Sequence, residues 1–141
     1  MAQLPVNTLS NISYSASKQS AELADLQNNF IIPAGKFIFI IPEYNGSFPG
    51  ILKWFLDAIS VRKYKENFHN KKAVIIGLAS GRLGNAIGAQ HLNSILNYLG
   101  VHTYPEKLYL AGIDSKFDGE QYTDRAEMDL LDEMLKNFLK D

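Results

Sequence analysis

Cysteine is absent from this chain of 141 residues. Disulfides, thiolate metal centres and cysteine nucleophiles are thereby excluded, and a reducing compartment is compatible with the sequence. An excess of one charge is also lacking: 14 Lys and Arg residues stand against 15 Asp and Glu, a formal net charge of -1. That balance gives no electrostatic attraction to nucleic acid or to an acidic membrane surface. No apolar run approaches the roughly 20 residues that a bilayer-spanning helix needs. No basic segment leads into an apolar one at the N-terminus, so no signal peptide is read there. A cytoplasmic protein with no nucleic-acid and no membrane partner is expected. His69, His91 and His102 are too far apart for metal-ligand spacing, so no metal is expected either. Ser47 and Ser80 lack the Gly-x-Ser-x-Gly setting of a nucleophile elbow. No Lys-Ser or Lys-Thr pair follows the glycines, which excludes a P-loop.

What is present is enough apolar material for a core, 46% of residues, in a length that suits one domain over residues 1–141. Residues 1–19 read as a polar arm or loop, rich in Ser and Asn. Ser20 is placed to cap a short helix whose Leu23, Leu26 and Phe30 share one face. The apolar run at residues 36–41 is the first clear strand. The second, residues 73–78, is apolar on both faces, as a strand covered by helices on each side should be. A third lies within residues 101–110 and is split by Pro105. Helical periodicity marks residues 51–59, about 85–99 and about 123–139. Ile87, Leu92, Ile95 and Leu99 form the stripe of the middle helix, and Gly100 sits where its C-cap glycine belongs. Met128, Leu131, Leu135 and Phe138 mark the buried face of the last helix. This alternation of helix and strand predicts an α/β protein of parallel βαβ units with right-handed crossovers.

Two loops stand out. The stretch Pro42-Glu43-Tyr44-Asn45-Gly46-Ser47-Phe48-Pro49-Gly50 joins a buried strand to a helix, at the carboxyl edge where open α/β sheets bind ligands. Its glycines allow close approach, Asn45-Gly46 is a turn signal, and Ser47 is read as the cap of the helix that follows. Poor in charge and bearing Tyr44 and Phe48, the loop suits a flat aromatic ligand better than a metal. As a plain connection, its glycines and prolines would serve geometry alone. The second loop, residues 79–84, belongs to a Gly-x-x-x-Gly-x-x-Gly pattern formed by Gly77, Gly81 and Gly84, with Arg82 as its one charge. Such loops leave amides free at a helix N-terminus for an anion or an electron-rich ring edge; a tight turn with a solvated Arg82 is equally compatible. Glu43, a lone loop carboxylate, is read as an acceptor for nearby amides. Phe48, Trp54 and Ala58 extend the apolar surface beyond the face formed by Ile51, Leu52, Phe55, Leu56 and Ile59, which suggests either a subunit interface or packing under residues 61–70.

The first loop, with Leu52-Lys53 and Leu56-Asp57 behind it, resembles the NADPH-dependent FMN reductase family, flavodoxin-like proteins that include quinone, azo-dye and chromate reductases. The second loop and the helix end from Gln90-His91-Leu92 to Leu99-Gly100 match in place and character. The resemblance implies a flavodoxin-like open parallel sheet with helices on both faces. It implies FMN at the carboxyl edge, with Pro42, Glu43, Tyr44, Asn45 and Gly46 along one side of the ring and Ser80, Gly81 and Arg82 at its pyrimidine edge. Arg82, or the amides beside it, is the candidate for stabilising charge on the reduced ring. It further implies NADPH as hydride donor, a small-molecule electron acceptor such as a flavin or quinone, and a homo-oligomer, dimer or tetramer. The family's opening unit of strand, phosphate loop, helix and second strand has no counterpart in this sequence. The sheet is therefore expected to be incomplete next to residues 36–41. A non-catalytic or truncated flavodoxin-like subunit that needs another chain, or has lost FMN binding, is the alternative expectation.

Overall fold

The structure, a computed structural model, describes residues 19–140. Of the expected polar arm at residues 1–19, all but Gln19 lies outside the described residues.

The first helix, α1 (Ala21–Leu26), starts as its sequence dictates: the Ser20 hydroxyl accepts from the Leu23 N–H at 3.2 Å. It then widens into a π-helical turn, Gln27–Ile31. The wider turn rotates its residues relative to an α-helix. Leu23 and Leu26 pack on the core as expected, but Phe30 is turned out to 64% exposure. Gln27 faces inward instead, and its amide donates to the Ile59 and Arg62 carbonyls at 3.0 and 3.2 Å. The carbonyls of Ile31, Ile32 and Ala34, at and just beyond the end of this turn, converge on the buried Lys71 ammonium.

Strands β1 (Lys36–Pro42) and β2 (Lys72–Ala79) pair in parallel from Lys36 opposite Lys72 to Pro42 opposite Leu78. The other edge of β2 pairs in parallel with β3 (His102–Thr103) and then β4 (Leu108–Ala111). These two are the halves of the strand expected to be split at Pro105, which has no N–H to give to a ladder. The sheet is therefore wholly parallel, with β2 at its centre.

Successive β2 residues feed two cores, as a period of two requires. Ala73 and Ile75 join Leu56, Ile59, Phe68, Leu92 and Leu96 from α2 (Gly50–Ser60), α3 (Tyr64–Phe68) and α4 (Ala86–Leu99). Val74 and Ile76 join Leu110 and, from α5 (Arg125–Lys140), Met134 and Phe138. Helices cover both faces, as the apolar strand pattern required. The α5 helix ends over the start of β1, where the Lys36 ammonium donates to the Phe138 and Leu139 carbonyls at 3.0 and 2.7 Å. A cation there meets the negative end of the helix dipole.

Two helix stripes are rotated from expectation. In α4 the inward residues are Gly88, Ala89, Leu92, Leu96 and Leu99, while Ile87 is half exposed. Gly88 has to face in, because a β-carbon there would lie 2.6 Å from the Ser47 carbonyl carbon. One residue is about 100° of helix turn, so Ile87 must point away. In α2 the buried residues are Leu56, Ala58 and Ile59, whereas Ile51 and Trp54 remain exposed. At the end of α4, Gly100 takes the left-handed conformation (φ 89°), and the Val101 N–H closes on the Leu96 carbonyl at 3.0 Å.

Candidate functional site

The two loops singled out in the sequence leave neighbouring strand ends. Pro42 is paired with Leu78, and the Glu43 N–H donates to the Leu78 carbonyl at 3.0 Å. Past that bond the first loop folds on itself. The Tyr44 N–H donates to the Ser47 carbonyl (2.8 Å) and the Ser47 N–H to the Tyr44 carbonyl (3.1 Å). The turn between them is Asn45 and Gly46, both with positive φ (51° and 74°). Two left-handed residues in a row are what Asn-Gly supplies at least cost. Tyr44 and Asn45 are thus held out at the tip, exposed, on a fixed backbone.

Ser47 does not cap α2. That helix starts at Gly50 with Pro49 at its N-cap and no side-chain bond there. The Ser47 hydroxyl instead lies 3.0 Å from Nδ1 of His91 on α4. The first turn of α4 is pressed against the loop backbone at Ser47 and Phe48, close enough that only glycine fits at position 88.

The second loop is anchored by Asn85, which is buried in the left-handed conformation (φ 63°). Its amide Nδ2 donates to the Ile41 carbonyl at 3.1 Å and to the Pro42 carbonyl at 3.0 Å. One side chain at the base of the second loop thereby fastens the last carbonyls of β1, which lead into the first. Its own Oδ1 finds no partner. Gly84 lies flat against the Tyr109 main chain, where a β-carbon would come within 2.6 Å of the carbonyl carbon. Ser80, Gly81 and Arg82 are all exposed. The Gly81 carbonyl accepts from the Gly112 N–H at 3.2 Å, which brings the loop after β4 to the same edge.

That third segment is tied down by charge. The Lys116 ammonium lies 2.7 Å from Glu127 and 3.4 Å from Asp124, and the Tyr122 hydroxyl donates to Glu127. Burial and the bond to Glu127 push the Tyr122 hydroxyl up to about 12. Hydrogen bonding to Glu127 raises the Lys116 ammonium, and backbone N–H bonds, from Glu127 first, lower the Asp124 carboxyl.

All eight expected site residues therefore fall on one edge: Pro42, Glu43, Tyr44, Asn45 and Gly46 on the first loop, and Ser80, Gly81 and Arg82 on the second. The Glu43 carboxylate and the Arg82 guanidinium make no hydrogen bond or ion pair among the described residues. The expectation that Glu43 accepts from nearby amides is thus not met. A β-carbon built on Gly46 or Gly81 would meet nothing within 4 Å. The backbone at both turns borders open space that a flat ring can enter, so the residues present fit such a group. Sequence reasoning missed Asn85, Gly88 and His91. The glycine spacing carried a signal for Gly88, which stands four residues after Gly84 as Gly81 stands four after Gly77. No group of three His, Asp or Glu residues gathers to hold a metal among the described residues, and no helix among them is long and apolar enough to cross a membrane.

Comparison with known proteins gives the family and the fold. The family model for NADPH-dependent FMN reductase matches residues 8–115. An NAD(P)H-dependent FMN reductase of Pseudomonas aeruginosa is 34% identical, over 62% of this chain and 47% of its own length. A 2-hydroxy-1,4-benzoquinone reductase of a Burkholderia species is 33% identical, over 69% of this chain and 54% of its own. The chain spans about half the length of these curated relatives. Among solved structures, the flavoenzyme NAD(P)H:(acceptor) oxidoreductase FerB of Paracoccus denitrificans superposes with a TM-score of 0.75 at 23% identity, covering 94% of this chain and 75% of that one. An NADH:FMN oxidoreductase in its apo form gives 0.72 at 20%, covering 96% and 66%. Likeness at such identity speaks to the fold, which is flavodoxin-like. On the match over residues 8–115, the chain belongs to the NADPH-dependent FMN reductase family.

Proposed function

We propose that the two loops hold the isoalloxazine ring of FMN, and that this chain carries the ring side of an NAD(P)H oxidoreductase site. The observation that carries the reading is the pair of glycine turns on adjacent strand ends, each bordering open space. Pro42, Glu43, Tyr44, Asn45 and Gly46 line one side of the ring. Ser80 and Gly81 meet its pyrimidine edge, and Arg82, unpaired among the described residues, places a cation where negative charge gathers. When bound, FMN supplies the hydride chemistry, from a nicotinamide to an acceptor. The chain's own contribution is rigidity, because Asn85, Gly88 and the Ser47–His91 bond fix both loops before any ligand arrives.

NADPH is the donor and a small flavin or quinone the acceptor in this reading, which rests on the family. A homo-oligomer, dimer or tetramer, fits the exposed Ile51 and Trp54. The alternative of a flavodoxin-like subunit that works only with another chain is favoured by one observation: β1 pairs only with β2 among the described residues.

The test is a parallel titration of the purified chain with FMN and riboflavin, followed by flavin fluorescence. Saturable quenching by both at similar concentrations is expected if the ring carries the affinity. Arg82→Ala should weaken FMN binding about tenfold or more, the worth of one charge-assisted hydrogen bond of about 1.5–3 kcal/mol. Absence of quenching by either flavin at hundreds of micromolar refutes the ring site in the isolated chain.

A further inference from the structure

Asn45-Gly46 is the one Asn-Gly pair in the chain. In such a pair the main-chain nitrogen of glycine can attack the side-chain carbonyl of asparagine, since no β-carbon on glycine hinders its approach. The attack is suppressed wherever that nitrogen is buried or hydrogen-bonded. Asn45 is exposed and Gly46 half-buried at the tip of the first loop. The bonds that close the turn, 2.8 and 3.1 Å, belong to Tyr44 and Ser47. The Gly46 N–H, the Asn45 carbonyl and the Asn45 side-chain amide make no hydrogen bond among the described residues. The peptide between the two residues can therefore turn without breaking a bond of its own. A β-carbon built on Gly46 would meet nothing within 4 Å, so water and hydroxide reach it.

Asn70 shows what the following residue contributes. It is also exposed and left-handed, with φ 60° against 51° at Asn45. Its neighbour is Lys71, a buried residue whose N–H donates to the Phe68 carbonyl at 3.4 Å. The two asparagines thus share exposure and backbone conformation and differ in the nitrogen that would attack.

We propose that Asn45 is a site of spontaneous deamidation, which changes the charge and the chain path of the first loop. Hydroxide takes the Gly46 amide proton, and the nitrogen forms a bond to Cγ of Asn45. The Cγ–Nδ2 bond breaks and ammonia leaves, closing a five-membered succinimide. Water then opens the ring. Cleavage at Cγ returns the ordinary peptide link and leaves aspartate. Cleavage at the main-chain carbonyl leaves isoaspartate, with the chain routed through Cγ. One water is consumed and one ammonia released, with no oxidation or reduction. Either product places a carboxylate where a neutral amide stood. Isoaspartate also adds a carbon to a two-residue turn that has no slack for it, so the pairing of Tyr44 with Ser47 is lost. The modification rests on this turn alone; its effect on flavin rests on the function proposed above, in which Asn45 lines the ring.

The test keeps the full chain in mildly alkaline buffer at physiological temperature for weeks and follows it by peptide mapping in a mass spectrometer. Position 45 should gain about 1 Da and become a substrate for isoaspartyl methyltransferase. It should convert about tenfold or more faster than position 70. Asn45→Gln should release no ammonia there, since the larger ring that glutamine must form closes far more slowly. Equal conversion at positions 45 and 70, or none at 45, would overturn the modification site whatever the flavin result. Asn45→Asp makes the charged product directly. It should bind FMN about tenfold or more weaker in the fluorescence titration, from a lost amide donor and a carboxylate facing an anionic ligand. Equal binding by Asn45→Asp and the unmodified chain would overturn the consequence for flavin. An unmodified chain that binds no flavin would refute the flavin reading and leave the deamidation at position 45 standing on its own measurement.

Discussion

Asn85 is the residue whose replacement tests the architecture of the site most sharply. It performs two separable tasks: it adopts a left-handed conformation, and it gives two amide protons to the Ile41 and Pro42 carbonyls. Glycine keeps the first task and loses the second; alanine loses both. Each lost bond costs about 0.5–1.5 kcal/mol, and removing the unpartnered Oδ1 returns part of that, so Asn85→Gly should destabilise by about 1–2 kcal/mol. Asn85→Ala should cost about 1–2 kcal/mol more, from the left-handed backbone. Asn85→Asp is the most damaging of the three, since it turns a carboxylate toward two buried carbonyls. Urea unfolding measures these differences as shifts of the midpoint at constant slope, with 1 kcal/mol worth about 0.3–1 M. Glycine and alanine variants of equal stability would refute the assignment of backbone strain. A glycine variant as stable as the unmodified chain would refute the role of the amide.

The glycines of the second loop should divide by function. Gly84→Ala drives a β-carbon into the Tyr109 main chain and should lower the yield of folded protein, whereas Gly81→Ala should fold normally and, if the ring reading holds, bind flavin less well. Tyr122 predicts an alkaline transition. Its hydroxyl is held up to about 12 in the folded chain against an ordinary value of about 10. The folded state therefore keeps a proton that the unfolded state loses, and stability should fall as pH rises through that interval. Tyr122→Phe should remove that fall, and absorbance titration should lose its latest-ionising tyrosine. Lys71 has the opposite sign. Burial lowers its ammonium, so the unfolded state binds more protons on the approach to pH 10.5, and stability should rise with pH there. Lys71→Met should abolish the rise and also cost about 2–3 kcal/mol at neutral pH, because the carbonyls at the end of the π-helical turn lose a charged donor.

The fold was legible wherever one pattern had one cause. β2 has to be covered by helices on each side because both its faces are apolar, and Gly100 has to end α4 because little else adopts its backbone angle so cheaply. Pro105 marked the split strand because it has no N–H to give to a ladder. The positions of both candidate loops followed from strand order alone. What could not be read came from contacts across the fold. Ile87 looked like a core residue until the approach of α4 to Ser47 demanded glycine at 88. Phe30 fitted a helical stripe until the π-turn put Gln27 inside in its place, with its amide satisfied by carbonyls more than thirty residues away. Ser47 had the residue type of a cap, but its partner proved to be a histidine 44 positions on. Local sequence carries no trace of such pairings.

The tie between Lys36 and the carbonyls of Phe138 and Leu139 joins residues 102 and 103 positions apart. During synthesis, β1 and β2 leave the ribosome long before α5 exists. The Val74 and Ile76 face therefore lacks its Met134 and Phe138 cover until α5 has emerged. A nascent chain stalled before Met134 should therefore present an incompletely covered sheet face to chaperones.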